Sequence, residues 1–299
     1  MNITKANTLL GHNGPIYTII PGLLPHTLIS GGSDGLAVEW NLETIGPGAV
    51  IAKVQGVIYS IALLGTQYMA IGTDKGGIHI IDLNLKREVK YLLNHTNGVF
   101  DIAYLPNHNQ FIALGGDGSF SVWNAQTFAC LATIKLCDFK LRNISIDTAE
   151  TQMAIACGDN TVRIFNIDSL TEIKQLENHT LSVNAVKYHP NGQWLLSGSR
   201  DAHLNVYDIE DNYALLHSIP AHNFAIYGIA FNADNTLFTT ASRDKTAKIW
   251  NATTLEVLQR IDKEKHSGHI NSVNKALWLN NYLITCSDDR AIILWQVEE

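Results

Sequence analysis

A histidine, a hydroxyl residue and an aspartate recur together along this sequence at repeating intervals. In the first copy, His12 lies 18 residues before Ser30 and 22 residues before Asp34. A hydroxyl, an imidazole and a carboxylate are the three groups of a nucleophilic hydrolase, in which the histidine takes the proton of the attacking hydroxyl. The residue types alone would therefore allow a catalytic triad.

The number of copies argues against catalysis. Three further sets occur, namely His179, Ser197 and Asp201; His222, Thr240 and Asp244; and His269, Thr285 and Asp289. An enzyme needs one triad at one cleft, so a set that returns four times indicates a structural role. The sequence also contains no Gly-x-x-x-x-Gly-Lys-Ser/Thr, His-Glu-x-x-His or Gly-x-Ser-x-Gly motif. We expect no catalytic residue and no enzymatic activity.

The cysteines and the closely spaced histidines do not form a metal motif. The four cysteines contain no Cys-x-x-Cys pair, and Cys130 and Cys137 are seven residues apart. We expect free thiols in a reducing compartment. His266 and His269 are close in sequence, but two histidines do not complete a zinc site, and His269 already belongs to the repeating set. We expect neither a metal nor another cofactor.

The composition is that of a soluble globular protein. The 299 residues are 46% hydrophobic and 16% charged, and the net charge of −7 argues against a nucleic-acid partner. No apolar run approaches the 18 residues of a membrane span, and the first residues lack the features of a signal peptide. We expect a cytoplasmic protein, or a nuclear one in a eukaryote.

An internal repeat organises the chain. Aspartates at positions 34, 74, 117, 159, 201, 244 and 289 mark seven copies of a unit of roughly 43 residues. Within each unit, short segments alternate apolar and polar residues and are separated by turn residues such as His189-Pro-Asn-Gly192. This pattern predicts about four short antiparallel strands per unit. A single four-stranded sheet cannot bury both of its faces, so the copies must stack radially.

The repeated motifs resemble those of the WD40-repeat family. The features that carry the resemblance are Leu10-Gly11-His12, the Ser30-Gly-Gly-Ser-Asp34 turn and the closing Trp40-Asn41 pair, with their counterparts in later copies. The resemblance covers the whole chain and implies an all-β fold. The expected fold is a seven-bladed β-propeller of four-stranded antiparallel blades, forming one domain over residues 1–299. The last copy ends on the Trp295 strand, so we expect residues 3–10 to add its outer strand and close the ring.

The resemblance also implies a buried hydrogen-bond chain in each complete copy. It would join the loop histidine, a strand serine or threonine, the turn aspartate and a tryptophan. The expected members are His12, Ser30, Asp34 and Trp40; His179, Ser197, Asp201 and Tyr207; His222, Thr240, Asp244 and Trp250; and His269, Thr285, Asp289 and Trp295. Copies two, three and four carry Ile71, Ala113 and Ile155 at the strand position. We expect their networks to be broken or absent and their blades to open more easily.

A second recurring position predicts the binding surface. Five residues after the loop histidine, or at the aligned place in copies two and four, stand Tyr17, Tyr59, Phe100, Arg142, Asn184, Tyr227 and Asn274. We expect these side chains at the mouth of the central channel. In the family the residue before the turn aspartate faces the same side, and here Arg200 and Arg243 occupy it.

The predicted partner-binding residues are Tyr17, Tyr59, Phe100, Arg142, Arg200, Tyr227 and Arg243. Aromatic rings could stack on an arginine of a partner peptide, and arginines could pair with an acidic or phosphorylated segment. Two alternatives remain at this point. The rings could pack between blades, and Arg200 and Arg243 could pair with neighbouring loop carboxylates.

These features predict a non-catalytic scaffold that binds peptide segments of partner proteins at the channel mouth. The protein would be a monomer by itself or a subunit of a complex. One alternative is an enzyme that uses the central channel. Another is an architectural subunit that binds partners through its rim.

Overall fold

The structure is a computed structural model that describes residues 1–298. It contains 28 β-strands, one 3-10 turn at Pro106–His108 and one short helix, α1, at Lys263–His266. In chain order the strands are β1 (Asn2–Leu10), β2 (Ile16–Pro21), β3 (Thr27–Gly32), β4 (Leu36–Asn41), β5 (Ala49–Lys53), β6 (Ile58–Leu64), β7 (Tyr68–Thr73), β8 (Gly77–Asp82), β9 (Arg87–Leu93), β10 (Val99–Leu105), β11 (Gln110–Gly115), β12 (Ser119–Asn124), β13 (Cys130–Lys135), β14 (Leu141–Ile146), β15 (Gln152–Cys157), β16 (Val162–Asn166), β17 (Glu172–Leu176), β18 (Val183–Tyr188), β19 (Trp194–Ser199), β20 (His203–Asp208), β21 (Ala214–Pro220), β22 (Ile226–Phe231), β23 (Leu237–Ser242), β24 (Ala247–Asn251), β25 (Val257–Ile261), β26 (Val273–Leu279), β27 (Tyr282–Ser287) and β28 (Ala291–Glu298).

The strands form seven antiparallel four-stranded sheets. Blades one to six are the consecutive quartets β2–β5, β6–β9, β10–β13, β14–β17, β18–β21 and β22–β25. Blade seven has the order β26-β27-β28-β1. The first strand of each blade contacts the first strand of the next, and β26 contacts β2, so these strands surround a central channel. The predicted all-β, seven-bladed propeller is confirmed.

The N-terminal strand closes the ring, as predicted. Strand β1 pairs antiparallel with β28, from Asn2 opposite Glu298 to Leu10 opposite Ala291. The register shifts by one residue between Lys5 and Asn7. Such a bulge exchanges the two faces of a strand, because side chains alternate with a period of two.

The bulge in β1 lets one strand serve two blade interfaces. Ile3 is buried in a cluster with Ile249 of blade six and Trp295 of blade seven. Leu9 is buried in a different cluster, with Trp40 of blade one and Ile292 of blade seven. The N-terminal strand therefore packs against both neighbours of the gap that it fills.

The apolar core lies between the blades. The second strand of each blade is buried on almost every residue, whereas the outer strand β9 is exposed at all but one. Clusters join facing blades, for example Leu196 of blade five with Phe238 and Trp250 of blade six. A strand that is covered on both faces requires a nearly continuous apolar run, which the second strands have.

Buried polar chains stabilise the blades that carry the full set of repeating residues. In blade one, His12 Nδ1 lies 2.9 Å from the Asp34 carboxylate and Nε2 lies 2.7 Å from Ser30 Oγ, while Trp40 Nε1 donates to Ser30 Oγ at 2.8 Å. The same contacts occur in blade six, through His222, Thr240, Asp244 and Trp250, and in blade seven, through His269, Thr285, Asp289 and Trp295.

Blade five differs from blade one at the tryptophan position. His179 contacts Asp201 at 3.0 Å and Ser197 at 2.7 Å. Tyr207 stands in the tryptophan place, and its hydroxyl accepts a hydrogen bond from Asn205 Nδ2 at 3.3 Å.

The expectation of a broken network in blade three is wrong. Ala113 at the expected strand position has no hydroxyl, but it pairs directly across the sheet with Ser121 of β12. His95 Nε2 lies 2.8 Å from Ser121 Oγ, and Trp123 Nε1 donates to the same oxygen at 2.7 Å. The cross-strand neighbour thus supplies the hydroxyl, so blade three joins blades one, five, six and seven.

Blades two and four have other arrangements. Ile71 and Ile155 are fully buried at the strand position. In blade two the Asp74 carboxylate accepts from the Val57 amide at 2.9 Å, and in blade four Asp159 pairs with Arg163 at 2.9 Å. That these two blades open more easily than the others remains a prediction.

Replacing Ser121 by alanine should destabilise the protein about as much as replacing Ser30. Each change leaves a buried histidine and a buried indole N–H without their shared hydroxyl, which costs about 1–3 kcal/mol. Urea unfolding of the two variants measures the loss. Ser218→Ala on the exposed outer strand β21 is the control, with an expected change within about 0.5 kcal/mol. A Ser121→Ala variant as stable as the control would contradict the cross-strand account.

Candidate channel-mouth site

A backbone irregularity recurs at the same place in all seven blades. Between the first and second strands, the register skips one residue after the first pair. A bulge of this kind redirects the side chain of the extra residue. The seven extra residues are Tyr17, Tyr59, Phe100, Arg142, Asn184, Tyr227 and Asn274, and all of them line one cavity of about 500 Å³. We refer to this cavity as the channel-mouth site.

Three aromatic rings from adjacent blades form an arc on one side of the site. The rings of Tyr17 and Tyr59 meet edge to face with centroids 5.4 Å apart. The rings of Tyr59 and Phe100 stack at 4.9 Å with an angle of 11° between their planes. Burial raises the pKa of the Tyr17 and Tyr59 hydroxyls, so both remain protonated hydrogen-bond donors at neutral pH. The rings pack on one another and still line the cavity.

The chain's own cations cover the second face of Phe100. The guanidinium carbon of Arg142 lies 4.9 Å from the Phe100 centroid, and Lys140 Nζ lies 5.3 Å from it. The Phe100 ring also stacks on Tyr59. Phe100 is therefore already in contact with a ring and with two cations of the chain itself.

The cavity lining is cationic in a protein of net charge −7. It contains five cationic side chains and two carboxylates, namely Lys140, Arg142, Arg200, Arg243, Lys275, Asp101 and Asp288. Lys275 Nζ lies 3.8 Å from the Asp101 carboxylate. The Asp288 carboxylate accepts from Asn274 Nδ2 at 2.8 Å. Both acidic groups are thus already engaged by their neighbours.

The three arginines of the site have no such partners. Among residues 1–298, Arg142, Arg200 and Arg243 make no ion pair within 4 Å. The interpretation that Arg200 and Arg243 pair with loop carboxylates is therefore wrong. Arg142 is also half-buried, and its Nε is a buried donor that has no hydrogen-bond acceptor. Burial lowers the pKa of Arg142, because a charged group loses solvation there.

The two asparagines at the bulge positions bridge neighbouring blades. Asn274 Nδ2 donates to the Ile16 carbonyl of blade one at 2.8 Å. Asn184 Nδ2 donates to the Ile226 carbonyl of blade six at 3.4 Å. Blades five and seven thus use this position for contacts between blades, whereas the remaining five blades present a ring or a guanidinium.

Sequence reasoning missed other polar side chains that line the cavity beside the aromatic arc. Lys140, Asp101, Asn143 and Lys275 also line the cavity. Three of these directly follow a bulge residue in sequence, so the repeat register itself could have identified them. Lys187 lies on the inner strand β18, and desolvation of its amine by the surrounding protein lowers its pKa.

The described residues contain neither a metal cluster nor a membrane helix. Among residues 1–298, no three His, Cys, Asp or Glu side chains are placed to hold a metal ion together. In the same part of the chain, no helix is long and apolar enough to cross a membrane.

A family model for the WD domain, G-beta repeat matches residues 86–124, 170–208, 213–251 and 260–296. Together these ranges cover more than half of the chain. The chain belongs to the WD40-repeat family. The matched ranges fall in blades two to seven of the propeller, and membership of the WD40 family is consistent with a role in protein interaction.

Several curated proteins are similar to this WD40 chain. The 66 kDa stress protein of Physarum polycephalum is 23% identical over 312 residues, which covers 99% of this chain and 48% of that protein. Human striatin is 24% identical over 263 residues, covering 84% of this chain and 30% of striatin. Human apoptotic protease-activating factor 1 is 26% identical over 198 residues, which covers 64% of this chain and 15% of that protein. The WD40 chain thus spans less than half the length of each of these relatives.

Arg142, Arg200 and Arg243 should make the channel-mouth site an anion site. At matched ionic strength, replacing chloride by phosphate should raise the Tm of the wild type more than that of an Arg142→Gln/Arg200→Gln variant. At an anion concentration ten times its Kd, binding adds about 1.4 kcal/mol of stability, or roughly 2–4 °C.

Arg87→Gln/Lys90→Gln on the exposed outer strand β9 is the matched control, because it also removes two positive charges. It should retain the full phosphate effect, while the general effect of an excluded salt is common to all three proteins. Equal shifts in all three proteins would contradict anion binding at the channel-mouth site.

Proposed function

We propose that this chain is a non-catalytic interaction module that binds an extended acidic segment of a partner protein at the channel-mouth site. The observation that carries the proposal is the convergence of an aromatic arc and three guanidiniums, which form no ion pair within residues 1–298, on one cavity. Repeating bulges in the inner strands hold the rings and Arg142 in place, whereas Arg200 and Arg243 directly follow the second strands of blades five and six. Side chains that are already positioned lose little conformational entropy on binding.

The chemistry of the lining defines the segment. Aspartate, glutamate or phosphorylated side chains would pair with Arg142, Arg200 and Arg243, and a guanidinium can bind such a group through two parallel hydrogen bonds. The buried Nε of Arg142 would gain the acceptor that it lacks. Tyr17 and Tyr227 would contact apolar parts of the same segment, since rigid amphipathic rings are common anchors at interfaces.

The two alternative functions receive less support. A hydrolytic or metal-dependent site needs carboxylates or histidines that are free to act on a substrate or an ion. The two carboxylates that line the cavity, Asp101 and Asp288, are bound to Lys275 and Asn274. Binding through the rim would use the outer strands, where β9 exposes Val89, Tyr91 and Leu93. These side chains do not line the cavity on which the guanidiniums converge.

The proposal can be tested by selecting peptide ligands directly on the purified protein. A random-peptide display library is screened on the folded wild type, and the peptides recovered should be enriched in Asp, Glu and aromatic residues. The affinity of the best peptide is then measured by calorimetry for the wild type and for the Tyr17→Ala/Phe100→Ala/Tyr227→Ala variant. Circular dichroism checks that the variant is folded.

The control variant removes three exposed apolar side chains from outer strands, Val50→Ala, Leu93→Ala and Leu131→Ala. We expect the channel-mouth variant to lose about tenfold or more in affinity, equivalent to about 1.4 kcal/mol, and the control to be unchanged. Loss of affinity only in the control would show that the peptide binds at the rim and would contradict binding at the channel-mouth site. Enrichment of basic peptides would contradict the proposed ligand chemistry.

A further inference from the structure

Blade four carries a cysteine where most other blades carry the loop histidine. The Cys137 amide donates to the Gly118 carbonyl at 3.3 Å, and in blade six the His222 amide donates to the Ala202 carbonyl at 3.2 Å. Gly118 and Ala202 both directly follow the turn aspartate of the preceding blade. Cys137 therefore occupies the backbone position of a loop histidine.

A second cysteine occupies the position that faces it. Cys157 lies two residues before the turn Asp159, and other blades have Gly115, Ser199, Ser242 or Ser287 at that point. In blade three these two positions adjoin, because a Cβ built on Gly115 would lie 2.3 Å from His95 Nδ1. In blade four they therefore bring two cysteines together, and Cys137 packs against the apolar cluster that contains Cys157. The Cys137 thiol donates to the Phe139 carbonyl at 3.3 Å, and the Cys157 thiol donates to the Ile155 carbonyl at 3.6 Å.

The two thiols differ in exposure and in ionisation. Cys137 is half-exposed, and the neighbouring Cys157 thiol lowers its pKa to about 7. Cys157 is fully buried, and its pKa is raised well above the usual range by the neighbouring Cys137 sulfur and by burial. The Cys137 thiol therefore loses its proton more readily than an ordinary cysteine, while its neighbour stays protonated. The thiolate is the form that reacts with peroxide.

We propose that Cys137 and Cys157 form a peroxide-responsive pair, in which Cys137 is the reactive thiolate and Cys157 the resolving thiol. In the first step the Cys137 sulfur attacks one oxygen of hydrogen peroxide, the O–O bond breaks, and a sulfenic acid and hydroxide form. In the second step the Cys157 sulfur displaces the sulfenic oxygen, which leaves as water with the Cys157 proton. The disulfide has lost two electrons, and the peroxide has gained them.

The proposed disulfide would tie the loop to β15 beside the channel mouth. The loop continues from Cys137 to Lys140, whose amine lies over Phe100, and its Lys140 carbonyl accepts from the Gly158 amide at 2.8 Å. This inference does not depend on the function proposed above, because the chemistry involves only the two thiols and the oxidant.

The other two cysteines provide internal controls. Cys130 is exposed on β13, and its sulfur lies 3.6 Å from the Thr133 hydroxyl. Cys286 is fully buried in blade seven, and burial raises its pKa to about 12. If exposure alone governed the rate of oxidation, Cys130 would react first. If the neighbouring Cys157 governs that rate, Cys137 would react first.

The test treats the reduced full chain with hydrogen peroxide at pH 7.5, blocks free thiols with N-ethylmaleimide and maps the products by mass spectrometry. Trypsin cleavage at Lys140 and Arg142 separates the two cysteines, so their disulfide joins two distinct peptides. We expect that cross-linked product in the wild type, formed about tenfold faster than any oxidation of Cys130.

Two variants separate the roles of the thiols. The Cys157→Ser variant has at this position the serine that blades five to seven already have. In this variant the oxidation of Cys137 should stop at the sulfenic acid, which dimedone then traps. In Cys137→Ser, Cys157 should remain reduced. Alkylation of Cys137 in the wild type should rise with a midpoint near pH 7. A wild type that forms no Cys137–Cys157 disulfide, or in which Cys130 oxidises as fast as Cys137, would overturn the proposal.

Discussion

The pairing of β1 with β28 is the interaction on which the rest of the molecule depends. Each blade has two apolar faces and can bury both only between two neighbours, so an open array would leave apolar surface at each end. Strand β1 supplies the missing strand of blade seven, and its bulge turns Ile3 towards blade six and Leu9 towards blade one. Ring closure also fixes the channel, because it brings β26 against β2 and sets all seven inner strands around one axis.

In each repeat, the residues that stabilise the blade differ from the residues that line the channel mouth. The buried histidine, hydroxyl and tryptophan chains lie within the blades, and they use nearly the same residue types each time. The bulge residues lie at the channel mouth, and they vary from tyrosine and phenylalanine to arginine and asparagine. A fixed backbone irregularity therefore presents a variable set of side chains. The arrangement here is asymmetric, with three adjacent rings on blades one to three, and with Tyr227 on blade six and guanidiniums on blades four to six that form no ion pair within residues 1–298.

The sequence alone predicted the features that depend on local residue pattern and on position within the repeat. The repeat spacing predicted the seven blades and the closing strand, and it identified all seven bulge positions, because each depends on counting within a unit. It failed in blade three, where Ser121 replaces the expected strand hydroxyl from across the sheet. The register between two strands decides which residues face each other, and the residue pattern of one strand does not reveal that register.

The contacts of Phe100 and of the cysteines were missed for different reasons. That Arg142 stacks on Phe100 follows from the packing of neighbouring blades, and the sequence positions of the two residues do not indicate it. Cys137 and Cys157 are 20 residues apart and match no thiol motif, so motif spacing says nothing of their proximity. The repeat register does contain this information, since one cysteine stands in the histidine position and the other faces it.

The most direct measurement of the central claim is site-specific photo-crosslinking to a partner in the source cells. Benzoylphenylalanine is placed at Tyr227, on the inner strand of blade six, or at Leu258, on the outer strand of the same blade. The account predicts a cross-linked partner from position 227, competed by an acidic peptide selected on the wild type, and none from position 258. Cross-linking from position 258 alone would contradict it and place the working surface on the rim.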